Sequence, residues 1–206
     1  MNKDVSNFLD NSKCIFTLKD AKQAGVSSYQ INKLIDKKRI IKISHGVYGL
    51  SNSQVDLMYA HQLNKEFNYS HETALYLHGL TDRDPLTYSV TVKKGCHSKT
   101  LEEKGFDVYF VDAEKYAVGM TTNKTIFNNP VKTYSMERTI CDVLRSSNRM
   151  DKNLVLQAIR SYSKRKDKNM YELMKIARIF SVQSEVRFYM ENRIEAQLSL
   201  FDKNKQ

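Results

Sequence analysis

Tyr29, Asn32 and Lys33 fall together in the segment SSYQINKLIDKKR, and their side chains are those that read nucleic-acid bases. An asparagine amide bonds both N6 and N7 of adenine, a lysine reaches guanine or a phosphate, and Ser28 and Tyr29 can touch base edges or phosphates. Ser27 opens the segment, and Lys37, Lys38 and Arg39 close it without a break. Lys42, Ser44 and His45 follow at a spacing suited to the DNA backbone or the minor groove. Asp36 does not fit a purely phosphate-binding surface. It lies beyond the groove or accepts from a cytosine amine.

The surrounding residues supply elements to hold this set. Thr17 is placed to cap a first helix, with Asp20 at its third position, where a carboxylate favours the positive end of the helix dipole. Gly25 follows the last turn and can take the left-handed conformation that ends a helix. Ser27 and Gln30 make a Ser-x-x-Gln capping box for a second helix. Ile31, Leu34 and Ile35 share one face of that helix and predict a core contact, which turns Tyr29, Asn32, Lys33, Asp36 and Lys37 outward. Ile40, Ile41 and Ile43 then alternate with Lys42, Gly46 suits a tight turn, and Val47 and Tyr48 return. Helix, turn, helix, basic tip and hairpin, in that order over 17–50, predict a winged helix-turn-helix for duplex DNA. A small helical domain with a solvated basic face would share the charge but not this ordered set of caps, turn and wing.

Composition narrows the rest. The chain has 206 residues, 41% of them hydrophobic and 10% aromatic, enough to bury real cores, and its 7 glycines and 2 prolines leave little for long linkers. A net charge of +10 and a pI near 9.4 favour an acidic partner, nucleic acid before a membrane surface. Residues 1–50 carry nine Lys/Arg against four Asp/Glu, and residues 145–178 carry ten against three, with a slightly acidic stretch between them. The second basic region centres on Arg145, Arg149, Arg160, Lys164, Arg165, Lys166 and Lys168, and a phosphate-bearing partner would fit it. Cys14, Cys96 and Cys141 are odd in number and far apart, which predicts no disulfide framework, no zinc knuckle and a reducing compartment. No apolar run approaches a membrane span, and MNKDVSNFLDNSK lacks a signal peptide's apolar core, so a bacterial cytoplasmic location is expected.

The chain is expected to be α+β: a winged helix-turn-helix domain over 1–50, then a mixed α+β C-terminal domain over 51–206. A short leading helix is predicted over 4–11. Beyond residue 50, helices are predicted over 54–67 and from the cap Ser70 to Gly79. Strands follow at 88–92, 106–111, 116–122, 125–127 and 131–134. Four helices then begin at Ser135, Asp151, Asn169 and Gln183, the last running to about Phe201 with a polar, frayed end after it. Catalytic chemistry finds little purchase. His71-Glu72-Thr73-Ala74-Leu75 begins like a zinc-protease motif but lacks the second histidine at i+4, and His71 with His78 has no third ligand. Glu102 and Lys104 make an E-x-K preceded by Asp82 or Asp84, a pattern common by chance in a Lys/Glu-rich chain. There is no glycine-rich phosphate loop and no Gly-x-Ser-x-Gly elbow. No catalytic residue, metal site or cofactor is expected. In SMERTICDVLR, Glu137, Arg138, Asp142 and Arg145 form a charge ladder on a structural helix, with Arg138 and Asp142 retained as candidate functional groups of the second domain.

The segments TLKDAKQAGVS…INKLIDKKRIIKISHGVYGL, SHETALYLHGLTD and VKTYSMERTICDVLR, in this order, resemble the AbiEi family of antitoxins from bacterial abortive-infection toxin–antitoxin systems. The resemblance runs over nearly the whole chain. It implies a winged helix that binds promoter inverted repeats and represses its own operon, with two copies on the DNA. It also implies a C-terminal domain that neutralises a nucleotidyltransferase-like toxin without a stable complex, the type IV mode, in defence against phage. Two alternatives stand beside it: a stand-alone regulator whose second domain senses a ligand or dimerises, and a DNA-targeted nuclease.

Overall fold

The computed structural model describes residues 3–11, 14–63 and 65–190. The chain divides into two compact units, Met1–Glu66 with Lys124–Val131, and Phe67–Asn123 with Lys132–Gln206. Residue 50, the expected domain boundary, falls inside the first unit.

The first unit is built from α1 (Lys3–Asn11), β1 (Ile15–Thr17), α2 (Leu18–Gln23), α3 (Ser28–Asp36), β2 (Ile40–Ser44), β3 (Val47–Leu50) and α4 (Leu57–Gln62). The strands form an antiparallel sheet in the order β1-β3-β2. Both helices of the helix-turn-helix start with a full capping box. Thr17 and Asp20 exchange bonds at the start of α2, so Asp20 caps as well as favouring the dipole, and Ser27 and Gln30 do the same for α3. Gly25, at φ +79°, ends α2 in a Schellman turn: its N–H donates to Lys22 O and that of Val26 to Ala21 O. Gly46, at φ +69°, turns the wing, and its carbonyl accepts from Leu18 N at 2.8 Å, which ties the wing to the first turn of α2. Val5, Leu9, Phe16, Ala21, Val26, Ile31, Leu34, Ile40 and Tyr48 make the core, with Phe8 edge-on to Phe16 and Phe16 stacked on Tyr48. Sequence patterning missed β1, because three residues give no alternation to see.

In the second unit β4 (Asn68–Tyr69), β5 (Ser89–Lys93), β6 (Asp107–Val111), β7 (Met120–Lys124) and β8 (Pro130–Tyr134) form a sheet in the order β6-β5-β4-β8-β7. The β7–β8 ends, residues 124–131, count with the first unit. Strands β5 and β6 run parallel, as do β4 and β8, whereas β4 and β5 are antiparallel. Helices α5 (His71–Leu77), α8 (Met136–Arg145), α9 (Lys152–Lys164) and α10 (Met170–Phe180) supply the apolar core, and α6 (Lys99–Glu102) and α7 (Ala113–Tyr116) are single turns. The expected strand over 116–122 starts later, because Tyr116 ends α7. Residues 125–127 form a turn rather than a strand, with Asn128 N–H closing on Thr125 O. The helix expected over 54–67 is confined to α4. Residues 183–190 are helical, and the expected continuation to Phe201 and the polar end lie outside the described residues. The chain is therefore α+β, with a winged helix-turn-helix followed by a mixed second unit.

Candidate nucleic-acid interface

The outward side of α3 is the first part of the interface. Ile31 and Leu34 are buried and Ile35 half-buried, so helix periodicity leaves Ser28, Tyr29, Asn32, Lys33, Asp36 and Lys37 exposed. Residues four apart stack along a helix, which makes two rows: Ser28–Asn32–Asp36 and Tyr29–Lys33–Lys37. The Lys33 Nζ lies 4.8 Å from the centre of the Tyr29 ring, a cation–π contact within the second row. The ring is 67% exposed, so the pair stands at the surface. Gln30, by contrast, is held in the cap, its Oε1 accepting from Ser27 N at 2.7 Å. The Ser27 hydroxyl accepts from Gln30 N in the same cap.

The basic tip comes next. Lys37, Lys38 and Arg39 are exposed, and α3 ends in the same Schellman turn as α2, with Lys38 N–H donating to Ile35 O and Arg39 N–H to Leu34 O. Here the left-handed position is Lys38, at φ +54°, where glycine would be relaxed. Lys42 and His45 are exposed on the wing. Ser44 departs from the expected surface: it is only 6% exposed and its hydroxyl is turned inward. A register shift between Lys42 and Ser44, where β2 pairs with β3, breaks the simple alternation and brings Ser44 opposite Val47.

The second basic region is less free than its charge suggests. Arg145 pairs with Asp142 at 3.3 Å, Arg149 with Asp107 at 3.1 Å while lying over the Tyr109 ring, and Arg165 with Asp167 at 2.7 Å. Lys168 donates to Arg165 O. Arg160, Lys164 and Lys166 are exposed.

Arg138 and Asp142 are wholly buried. The Arg138 guanidinium lies between the rings of Tyr134 and Phe180, at 4.2 and 3.9 Å from their centres. Its Nε donates to Asp142 at 2.9 Å and its Nη1 to the carbonyls of Lys115 and Val118. Burial pushes the Asp142 carboxyl up from its ordinary value, and Arg138 and Arg145 pull it back. These bonds tie α8 to the α7 region, a structural use of the charge ladder. Glu137 likewise accepts from Tyr162 Oη and Asn169 N, which joins α8 to the ends of α9 and α10. Sequence spacing showed only i,i+4 neighbours and could not show these distant carbonyls and rings.

The histidine and acidic motifs find no catalytic setting. His71 is buried with its Nδ1 at 2.9 Å from Ser70 Oγ, its Nε2 at 3.1 Å from Ser146 Oγ and its ring stacked on Tyr109. Burial, then the arginines Arg145, Arg138 and Arg149, hold it well below the ordinary histidine range. Ser70 stands at the start of α5 but makes no side-chain cap bond; its hydroxyl takes the Thr91 O–H instead. Burial also pushes the Cys141 thiol up to about 12, far from a reactive thiolate. Glu102, Lys104, Asp82 and Asp84 are exposed, and among the described residues no group of three His, Cys, Asp or Glu is placed to hold a metal ion. No described helix is long and apolar enough to cross a membrane.

Comparison with known proteins bears on both units. The solved structure of the RV2827C protein from Mycobacterium tuberculosis aligns with a TM-score of 0.53 at 9% identity, over 91% of this chain and 79% of that one. At that identity the likeness is one of fold. A comparison with curated sequences gives no match. Residues 3–51 match the family model described as "Transcriptional regulator, AbiEi antitoxin". That span takes in α1 through β3, every element of the winged helix-turn-helix, and over it the chain is similar to the AbiEi antitoxin family of transcriptional regulators.

Proposed function

We propose that this chain is the antitoxin of a type IV toxin–antitoxin, abortive-infection system and the repressor of its own operon. The observation that carries this reading is the coincidence of the family match over residues 3–51 with an exposed, basic helix-turn-helix and wing. In this reading α3 enters the major groove by the exposed face that carries Tyr29, Asn32 and Lys33. Lys37, Lys38, Arg39, Lys42 and His45 neutralise phosphates, with Ser27 at the helix start close to the backbone and Ser28 beside it on the exposed face. Two copies occupy promoter inverted repeats. Residues 51–206 neutralise a nucleotidyltransferase-like toxin without a stable complex and without enzymatic chemistry. The exposed Arg160, Lys164 and Lys166 give this part a surface for a phosphate-bearing partner, and the protein acts in the cytoplasm.

The test has two arms. The full chain is titrated against duplex DNA from upstream of its own coding sequence, and tight, salt-dependent binding over unrelated DNA is expected. It is also expressed from an unrelated promoter in cells carrying the neighbouring toxin gene under its own inducible control. Rescue of growth supports the antitoxin. DNA binding without rescue leaves a stand-alone regulator, and the absence of both DNA binding and rescue overturns both halves of the reading.

A further inference from the structure

The two rows on α3 differ in a way that orients it on DNA. The row Tyr29–Lys33–Lys37 is aromatic and cationic. The row Ser28–Asn32–Asp36 holds a hydroxyl, an amide and a carboxylate. A carboxylate is repelled by phosphates, and the Lys33 ammonium, one turn before this one on the exposed face, lies over Tyr29. Asp36 is exposed and forms no ion pair among the described residues. Gln30, the other amide of the helix, is withdrawn into the cap.

We infer that α3 lies in the major groove with Ser28, Asn32 and Asp36 on the base edges and Tyr29, Lys33 and Lys37 along one phosphate strand. This rests on the DNA-binding reading of α3 and gives it a target. Asn32 bonds adenine N6 and N7, and Asp36 accepts from the N4 amine of cytosine. Four helical residues rise about 6 Å and stacked bases are about 3.4 Å apart, so the two bases lie about two base pairs apart in each half-site. The Tyr29 ring is a positioning group: it holds Lys33 to the phosphate side and leaves the carboxylate free to read.

The experiment uses duplexes from upstream of the chain's own coding sequence, with each base pair changed singly. Wild type, Asn32→Ala, Asp36→Ala and Lys33→Ala are titrated at several salt concentrations, with melting temperatures as folding controls. In wild type, the wrong base at each read position should weaken binding roughly 5- to 150-fold. Asn32→Ala should erase that preference at one A·T pair, and Asp36→Ala at one C·G pair about two pairs away. Lys33→Ala should weaken every duplex alike and flatten the salt dependence by a slope of about 0.9. If Asp36→Ala tightens all duplexes equally and leaves discrimination intact, Asp36 lies outside the groove and the inference falls. It falls equally if Lys33→Ala abolishes discrimination at a single base. Wild-type protein that does not prefer any upstream duplex over unrelated DNA would overturn the DNA-binding reading and this inference together.

Discussion

Helices α3 and α8 carry similar charge patterns to opposite ends. On α3 the charged side chains face solvent, and the Lys33 ammonium lies over a ring on its own helix. On α8 every residue from Glu137 to Leu144 is buried, and Glu137 and Arg138 are bonded to groups brought from other elements. The difference teaches that a charge ladder becomes a binding surface or a structural joint according to what packs over it. An exposed charge is available to a phosphate. A buried one is stable only with partners inside the protein.

The comparison breaks most visibly if Arg138 proves dispensable. Arg138→Ala leaves the buried Asp142 carboxylate with Arg145 alone and removes the guanidinium donor from the carbonyls of Lys115 and Val118. A loss of about 3–5 kcal/mol is expected, read by urea unfolding of the full chain. Lys33→Ala, on the exposed helix, should change stability by no more than about 0.5 kcal/mol. Comparable effects from the two substitutions would mean that burial does not separate these helices as argued.

Acid should sharpen the same contrast. His71 is buried and neutral in the second unit, whereas His45 is exposed on the wing. Because folding lowers the His71 pKa, the unfolded chain takes up a proton that the folded one resists. The His71 contribution is therefore complete above the ordinary histidine value and is lost as pH falls below it, at a slope of at most about 1.4 kcal/mol per pH unit. His71→Gln should remove that slope between pH 6.5 and 5 whatever it does to the absolute stability. A wild-type curve parallel to that of His71→Gln would count against a buried neutral imidazole.

Much of the first unit was legible because its signals are local. Ser27 and Gln30, Gly25, and the Ile31–Leu34–Ile35 face each act within one turn of helix, and all formed as their spacing predicts. Ser44 was misplaced because a register shift changes which side a residue faces and leaves no mark on composition. The second unit was legible as α+β and as a series of helices, but its joints were not. Ser70 has the form of a helix cap, yet its hydroxyl is taken by His71 and Thr91, the latter 21 residues away. Tyr116 reads as strand by type, yet ends a helical turn, since Asp112 opens α7 just before it. Arg165 counts toward a basic surface until Asp167, two residues on, is seen bonded to it. In each case the deciding partner is one that periodicity does not weigh.

The smallest expected effect lies within the first unit, between the ends of α2 and α3. Both helices close in the same Schellman turn with one residue in the left-handed region, Gly25 in one and Lys38 in the other. A residue with a Cβ is disfavoured there by about 1 kcal/mol relative to glycine. Lys38 therefore holds a strained position at the basic tip, next to the wing, and strain that a simple substitution would relieve calls for a return. Lys38→Gly should raise stability by about 1 kcal/mol while weakening every DNA duplex alike and lowering the salt slope by about 0.9. The converse, Gly25→Ala, should lower stability by a similar amount and leave the salt slope as it was, because it strains the turn without adding or removing a charge. Stabilisation by Lys38→Gly with no change in DNA binding would show that Lys38 is strained without use, and the basic tip would begin at Arg39.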